Sequence, residues 1–162
     1  MTDSTLVRPA VAADLAEVGE MAAELVRFHH ALDPLRFLLV DGVAQGYAKW
    51  FSSQLDVKET VILVAERGGK KVGYAYARLE PRDWNALLDV HGALHDIYVI
   101  PEARRSGAAT ALMDEVVKRL TALGAPRVVL SSATENHGAH RLFERHGFRY
   151  TMVEMTRERS TE

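Results

Sequence analysis

The sequence contains no cysteine, and this absence removes disulfide frameworks, cysteine-ligated zinc and cysteine nucleophiles together. An excess of one charge is also missing, since 20 lysines and arginines stand against 22 aspartates and glutamates, for a net charge of −2. A protein that holds a polyanion by bulk charge shows a basic excess, so we expect no nucleic-acid partner. One small phosphate site remains compatible with this balance.

Long apolar runs are missing as well. The longest ones, at residues 37–40 and 61–65, are far too short to span a membrane, and the start of the chain lacks the pattern of a signal peptide. We therefore expect a cytoplasmic protein with no membrane partner, and the lack of cysteine fits a reducing compartment. The length of 162 residues is typical of a single domain, 1–162, with enough chain for a core and a pocket.

Hydrophobic periodicity predicts the element order β-α-α-β-β-β-α-β-α-β. The expected strands cover residues 5–9, 60–66, 71–80, 93–100, 127–133 and 148–157, and the expected helices cover 11–30, 41–55, 107–123 and 136–146. A short loop at Gly68-Gly69 indicates a hairpin, and the strand–helix–strand unit from 93 to 133 indicates a parallel pair. The fold class is therefore a mixed α/β (α+β) domain rather than a doubly wound one.

The turn between the fourth strand and the third helix is the most informative segment. It reads Arg104-Arg105-Ser106-Gly107-Ala108-Ala109. The first N–H groups of a helix lack partners inside it and the helix dipole is positive there, so this end suits an anion. The arginines add donors for phosphate oxygens, and the small residues let a phosphate approach the backbone. We interpret the segment as a phosphate-binding turn; the alternative is an ordinary helix start capped by Ser106 with solvated arginines.

Other phosphate and nucleophile motifs do not occur in the chain. The GxxxxGK[ST] loop, the G-x-G-x-x-G turn and the G-x-S-x-G elbow are all missing. A P-loop nucleotidase, an NAD or FAD enzyme and an α/β-hydrolase are therefore disfavoured.

Two motifs resemble those of the GNAT superfamily of acyl-CoA-dependent N-acyltransferases. Arg104-x-x-Gly107-x-Ala109 is similar to its [R/Q]-x-x-G-x-[G/A] loop. Further along, the chain reads Asn136-x-x-Ala139-x-x-x-Phe143-Glu144-Arg145-x-Gly147-Phe148, which is similar to the second motif, N-x-x-A-x-x-x-Y-E-[KR]-x-G-F. The resemblance implies a mixed sheet of about six to seven strands flanked by about four helices, with a V-shaped opening between two parallel central strands.

The same resemblance implies acetyl-CoA as co-substrate. The pyrophosphate would lie on the N–H groups of 105–109, the pantetheine arm along 97–99, and the second motif would form the other wall. The cofactor-binding residues so implied are Ile97, Tyr98, Val99, Arg104, Arg105, Ser106, Gly107, Ala108, Ala109, Asn136, Ala139, Phe143 and Arg145.

The implied reaction is direct attack of an amine, on a small molecule or a peptide, on the thioester, so a group must take the amine's proton. The candidates are Glu80, His95 and Asp96. Adjacent residues of a strand face opposite sides, so at most one of His95 and Asp96 should face the amine unless a bulge re-aims one of them. An imidazole suits a base near neutrality. A purely structural role stays open for each candidate.

Phe143 departs from the family pattern, because many relatives carry there a tyrosine that protonates the leaving thiolate. Phenylalanine has no such proton, so water, or else His140 or Ser132, would take this role. The departure also favours an alternative function, a catalytically silent acyl-CoA-binding sensor. The expected walls of the acceptor site are residues 28–30, residues 35–37 and the 81–92 connection, with Asp83 and Trp84.

Seven histidines are present, but their spacing matches no H-E-x-x-H motif, so we expect no metal site. The chain after Gly147-Phe148 has room for about one strand where many relatives have two, which leaves a sheet edge to be covered. We therefore expect a homodimer.

Overall fold

The computed structural model describes residues 4–160, in which one mixed sheet carries two helices on each face. The strands are β1 (Leu6–Pro9), β2 (Thr60–Arg67), β3 (Lys70–Glu80), β4 (His91–Val99) and β5 (Val128–Leu130). The helices are α1 (Leu15–Leu32), α2 (Val43–Gln54), α3 (Ala108–Ala122) and α4 (His137–Arg145). The strands lie in the order β1-β2-β3-β4-β5, and only the β4–β5 pair is parallel. The predicted fold class and the four helices are confirmed.

Turn residues set the boundaries that the sequence predicts. Gly68 and Gly69 have φ of 54° and 74°, which lets a two-residue loop join β2 to β3. Asp33 is extended ahead of Pro34, so α1 ends at Leu32. These local signals explain why the order of these strands and helices could be predicted from the sequence.

Each face of the sheet has its own core. The α3–α4 face buries Leu63 and Leu94 against Leu112 of α3. The α1–α2 face buries Phe51 and Tyr74 between helices and sheet.

Close contact between α1 and α2 depends on a glycine. A Cβ added to Gly19 would lie 2.4 Å from the carbonyl oxygen of Ala44, closer than real Cβ contacts allow. The missing side chain therefore lets the two helices approach backbone to backbone.

The sheet opens between β4 and β5. Pairing of the two strands covers only residues 92–94 of β4 and 128–130 of β5. From residue 95 to Val99, β4 continues with no strand beside it on that side among residues 4–160. The predicted V-shaped opening between two parallel strands is therefore confirmed.

The predicted number of strands, six to seven, is wrong for the described residues, which contain five. The expected strand at 148–157 is extended chain with no ladder partner in this part of the structure. Its composition favours strand, but a strand is stabilised only by a neighbour, and no neighbouring strand lies beside it here. The fifth strand is also shorter than predicted, because pairing with β4 stops where the sheet opens.

A buried ion pair fastens β1 to the start of α1. The Asp14 carboxylate, only 3% exposed, accepts hydrogen bonds from both terminal nitrogens of Arg8, at 2.7 and 2.9 Å. It also accepts from the backbone N–H of Val11, at 2.8 Å. The Arg8 hydrogen bonds outweigh burial and lower the pKa of Asp14 to about 2.

Candidate active site

A β-bulge in β4 arranges the candidate bases. Tyr76 of β3 lies opposite Asp96, whereas the next residue, Ala77, lies opposite Leu94, so His95 has no partner on β3. An extra residue of this kind shifts the side-chain alternation of its strand.

Because of the bulge, His95 and Asp96 both contact the α1–α2 face of the sheet. The His95 ring stacks on the Tyr76 ring, with centroids 5.1 Å apart and 26° between planes. The Tyr74 hydroxyl donates to Asp96 Oδ2 at 3.0 Å. Tyr74 and Tyr76 belong to one face of β3. Only one of the two adjacent residues would face this side in a regular strand, and the bulge is the exception that the sequence left open.

Glu80 completes the group, at the end of β3. Its Oε1 lies 3.1 Å from His95 Nε2, and the two side chains are 29% and 41% exposed. An accessible imidazole thus has one nitrogen fixed by a carboxylate, the arrangement that orients a histidine for proton transfer. All three candidate bases, Glu80, His95 and Asp96, are brought together.

Asp96 has a different environment from that pair. Burial raises the pKa of Asp96, while the Tyr74 hydroxyl and the nearby His95 act against the shift. The pKa of Tyr47, in α2, is raised to about 12. Burial is the larger cause, and the negative charge of the Asp96 carboxylate is the next. The carboxylate therefore lies in a tyrosine-lined, poorly hydrated part of the site.

Tyr47, Tyr74 and Tyr76 are not among the site residues predicted from the sequence. Tyr74 and Tyr76 alternate along β3, with Tyr98 opposite Tyr74 on β4. Two aromatic hydroxyls at a spacing of two on a strand indicate a polar aromatic face. That spacing was the signal available in the sequence.

The turn before α3 has an unusual backbone. Arg105 and Gly107 have φ of 61° and 87°, both left-handed. A Cβ on Gly107 would meet nothing within 4 Å, so conformation rather than crowding favours glycine here. Left-handed residues in a turn are typical of the backbone nests whose N–H groups bind anions.

The first helical bond of α3 runs from Ala111 N–H to the Gly107 carbonyl, at 2.9 Å. The N–H groups of Ala108 and Ala109 precede it and have no partner one turn earlier. Ser106 does not cap the helix, since its hydroxyl donates instead to the Ala103 carbonyl at 2.6 Å. The alternative of an ordinary serine-capped helix start is therefore wrong.

The two arginines of this turn differ in their contacts. Arg104 Nε donates to the Val99 carbonyl at 3.1 Å, and its guanidinium lies 5.9 Å from the Tyr98 ring centroid. Arg104 and Arg105 are both exposed. Arg104 therefore ties the end of β4 to the turn, while Arg105 presents its charge to solvent.

Residues of β4 that were assigned to the cofactor border the opening. Ile97 is partly buried, and Tyr98 and Val99 are buried on opposite faces of the sheet. Their backbone edge on the β5 side has no ladder partner in residues 4–160.

The other predicted wall has a largely structural character. The Asn136 side chain accepts from the Ala139 N–H at 3.3 Å and caps α4. Phe143 is buried in the core against Phe148, with ring centroids 6.0 Å apart. Arg145 is exposed in the last turn of α4.

His140 and Ser132 are the candidate substitutes for the missing tyrosine hydroxyl. His140 Nε2 lies 2.9 Å from the Ala133 carbonyl, so this nitrogen already has a partner. The Ser132 hydroxyl is buried and has no hydrogen-bond partner within the described part of the chain.

The expected lip at 81–92 is an exposed connection. Trp84 is 74% exposed and lies under the Arg82 guanidinium, 5.4 Å from the ring centroid. Asp83 closes the turn by accepting from the N–H groups of Asn85 and Ala86.

Within residues 4–160, no three histidine, aspartate or glutamate side chains are grouped to hold a metal ion. None of the helices described is long and apolar enough to cross a membrane.

The split between β4 and β5, beside a helix that starts on left-handed residues, defines an acetyltransferase fold. The chain belongs to the Acetyltransferase (GNAT) family, whose model matches residues 27–148. The predicted family, and with it the prediction of an N-acetyltransferase, is confirmed.

Curated relatives agree with this family. The uncharacterized N-acetyltransferase YhfO of Bacillus subtilis is 25% identical over 142 residues, 88% of each chain. An uncharacterized N-acetyltransferase of Mycobacterium tuberculosis is 33% identical over 100 residues, which cover 61% of this chain and 59% of the relative.

Solved structures share the fold. Aminoglycoside N-acetyltransferase AAC(6')-Iy in complex with CoA has a TM-score of 0.76 at 18% identity, covering 99% of this chain and 98% of that one. A protein of Bacillus halodurans described as a transcriptional regulator has a TM-score of 0.74 at 19% identity, covering 96% and 99%.

Proposed function

We propose that the protein transfers an acetyl group from acetyl-CoA to a primary amine of a small molecule or peptide. The observation that carries this proposal is the edge of β4 beyond residue 94, which has no ladder partner on the β5 side within residues 4–160. This edge leads into a turn with left-handed Arg105 and Gly107, at a helix start where the first N–H groups lack helical partners. An edge strand accepts an extended, amide-bearing chain by backbone pairing, and the helix start suits the phosphates that follow it.

The cofactor would lie along this path. The amides of its pantetheine arm pair with the backbone of Ile97 to Val99, and its pyrophosphate meets the N–H groups of 105–109. Arg105 adds charge from solvent, and Arg104 holds the turn against the end of β4. In the wall formed by α4, Ala139 and Phe143 supply apolar contact, Asn136 fixes the helix start and Arg145 supplies a peripheral charge.

The transfer needs one base. The amine nitrogen attacks the thioester carbon, the C–S bond breaks, and CoA leaves as its thiolate. We assign the amine's proton to His95, because it is accessible and its Nε2 is fixed by Glu80 at 3.1 Å. Asp96 is a partly buried carboxylate that favours a cationic amine nearby. A backbone N–H of the central strand near Tyr98 stabilises the oxyanion.

Solvation of the leaving thiolate completes the reaction. Phe143 cannot protonate it, and His140 is engaged by a carbonyl. We therefore propose that water solvates the leaving thiolate. Among side chains, the alternative is the Ser132 hydroxyl, which has no hydrogen-bond partner within residues 4–160.

Calorimetry with acetyl-CoA tests cofactor binding. Wild type should bind, and Gly107→Glu should lose binding, because it places a carboxylate at the phosphate turn. Gly124→Glu is the matched control, since Gly124 is equally left-handed, with φ of 94°, at the other end of α3 with open space around it. Equal loss of binding in both variants, or no binding by wild type, would contradict the cofactor site.

Acetyl transfer is measured as amine-dependent release of CoA over a panel of polyamines, aminoglycosides and lysine-containing peptides. The second candidate, a silent acyl-CoA sensor, is favoured by Phe143 alone. It predicts tight acetyl-CoA binding with no transfer to any amine, and a normal transfer rate with one class would exclude it.

We also propose that the protein is a homodimer. Residues 128–130 of β5 form a sheet edge that no other strand covers in residues 4–160, and uncovered edges are normally protected in native proteins. The cytoplasmic location stays a prediction.

A further inference from the structure

Arg78 lies on the same face of β3 as the candidate active site, between Tyr76 and Glu80 along the strand. Residues at a spacing of two share one face of a strand, so these three side chains point to the α1–α2 side of the sheet. A contact between Arg78 and Gln54 of α2 agrees with this orientation. The guanidinium of Arg78 thus lies beside the proposed base and its carboxylate partner, and the transfer as proposed gives it no role.

Glu80 is shared between His95 and Arg78, with one carboxylate oxygen for each. Its Oε1 lies 3.1 Å from His95 Nε2, and its Oε2 lies 3.9 Å from Arg78 Nε. The first distance is that of a hydrogen bond, while the second is that of an ion pair without a hydrogen bond. The side chains of Arg78 and Glu80 are 32% and 29% exposed, so solvent screens their charges only in part. The imidazole of His95 therefore meets a carboxylate whose other oxygen faces a cation.

The Arg78 guanidinium is held on its other side by a buried glutamine. Gln54, in the last turn of α2, is 8% exposed. Its Oε1 accepts a hydrogen bond from Arg78 Nη1 at 3.4 Å and another from the Thr60 hydroxyl at 3.4 Å. A chain of polar side chains thus runs from α2 through Arg78 and Glu80 to His95.

The Nε–H of Arg78 is a buried donor that has no hydrogen-bond partner within residues 4–160. A buried donor without a partner costs free energy, so its presence calls for an explanation in the function of the site. Glu80 Oε2 is about 1 Å too far away to accept from it. A shift of Glu80 toward Arg78 would satisfy this donor but would draw the carboxylate away from His95. The structure thus keeps Glu80 on the imidazole and leaves Arg78 Nε without an acceptor.

We infer that Arg78 is a positioning residue for the proposed base: it orients Glu80 and offsets the charge of Glu80, so that His95 stays unprotonated and accepts the amine's proton. This inference rests on the acetyl transfer proposed above. A carboxylate beside an imidazole favours the imidazolium form, which has no lone pair left to take a proton. A guanidinium on the far oxygen of that carboxylate opposes this effect, because it weakens the negative potential at the ring.

The other charged groups near His95 act on a different carboxylate. Burial raises the pKa of Asp96, and His29 of α1 and His95 itself act against that shift. Tyr47 of α2 also lies within range of the Asp96 charge. Within residues 4–160, Glu80 forms ion pairs with Arg78 and His95 and with no other side chain. The influence of Arg78 on the imidazole should therefore pass through Glu80.

The pH profile of acetyl transfer tests the role of Arg78. Arg78→Gln should lower kcat by roughly two- to fivefold, the range of a partly exposed ion pair, with the larger loss below pH 7. The KM for acetyl-CoA should stay unchanged, because the proposed cofactor path does not include β3. Arg78→Lys keeps the charge and should restore the acid limb of the profile. Arg119→Gln is the matched control, since Arg119 is a partly exposed arginine that pairs with Glu115 on α3, and it should leave both rate and profile unchanged.

A double-mutant cycle separates action through Glu80 from a general structural effect. In a Glu80→Gln background, Arg78→Gln should change neither kcat nor the pH profile any further, since the carboxylate that transmits the charge is gone. An additive loss in the double variant would overturn the inference, and so would a pH profile that Arg78→Gln leaves in place.

Nuclear magnetic resonance of the imidazole protons tests the same coupling without acetyl transfer. The His95 ring signal is the one that disappears in His95→Gln. At pH 7 it should move toward the position of a protonated ring in Arg78→Gln and stay in place in Arg119→Gln, with unchanged circular dichroism spectra. An unmoved signal in Arg78→Gln would refute the role of Arg78 whether or not the protein transfers acetyl groups. A moved signal without transfer to any amine would confirm the charge coupling and contradict the proposed function alone.

Discussion

At the scale of the residue, the proposed chemistry depends on one inserted position in β4, the β-bulge at His95. Without the bulge, His95 and Asp96 would lie on opposite faces of β4, and only one could reach the α1–α2 side. With it, His95 stacks on Tyr76 and meets Glu80, while Asp96 is held by Tyr74. A single extra residue thus places the exposed imidazole of His95, the proposed base, and the partly buried carboxylate of Asp96 on one side of the sheet.

His95→Gln should lower kcat of acetyl transfer by roughly 10²–10⁴, the usual contribution of a positioned base. Glu80→Gln should lower it less and change the pH profile, because the imidazole remains but loses its fixed partner. His137→Gln, an exposed histidine of α4, is the control and should leave the rate unchanged. A larger loss in Asp96→Asn than in His95→Gln would assign the base to Asp96 instead.

At the scale of the element, most boundaries follow from local signals. The hairpin loop has its glycines, α1 stops before Pro34, and β2 has a β-branched run, so these elements could be predicted from the sequence. The bulge could not, because alternation in 93–100 is equally consistent with a regular strand. Residues 149–160 have the composition of a strand, and only the position of neighbouring strands decides whether they pair.

In the candidate site, too, some features could be predicted from the sequence and others could not. Arg104, Gly107 and Asn136 belong to motifs, and their positions could be predicted. Ser106 as a helix cap was wrong, because left-handed Gly107 takes the cap position and directs the serine hydroxyl to Ala103. Side-chain partners of this kind depend on backbone angles that a pattern of residue types does not specify.

The crossing of α1 and α2 gives a stability prediction. Gly19→Ala should lower the free energy of unfolding by about 1–3 kcal/mol, because the new Cβ would meet the Ala44 carbonyl oxygen. Gly46→Ala, in α2 with open space around it, should raise it by roughly 0.5–1 kcal/mol. Urea unfolding followed by circular dichroism measures both, and equal effects of the two variants would contradict the close approach.

At the scale of the whole molecule, the stability of the fold in acid depends on the ion pair between Arg8 of β1 and Asp14. The folded pKa of Asp14, about 2, lies below the ordinary value of 3.8, so folding favours the carboxylate. The resulting stabilisation is present above about pH 4 and is lost as the pH falls through 2. The Asp14 carboxylate, which binds Arg8 of β1, thus stabilises the folded state at neutral pH and no longer does so once it is protonated in acid.

Asp14→Asn should therefore lower the free energy of unfolding by about 2 kcal/mol at pH 7, with a difference from wild type that shrinks between pH 4 and pH 2. Glu17→Gln removes an exposed partner of Lys71 and should cost less than about 0.5 kcal/mol at any pH. Denaturant titrations across this range measure both. A wild-type advantage that persists at pH 2 would show that Arg8 and Asp14 are not coupled as described.

Because the sheet is open between β4 and β5, the stability of this protein should depend on whether a ligand fills that opening. From residue 95 onward β4 lacks a neighbour, so a bound acetyl-CoA would act as a removable strand and would count as part of the fold. A ligand that binds only the folded state stabilises it by about 2.7 kcal/mol at one hundred times its dissociation constant. The melting temperature should then rise with the ratio of the acetyl-CoA concentration to its dissociation constant, and amide exchange at 97–99 should slow in parallel.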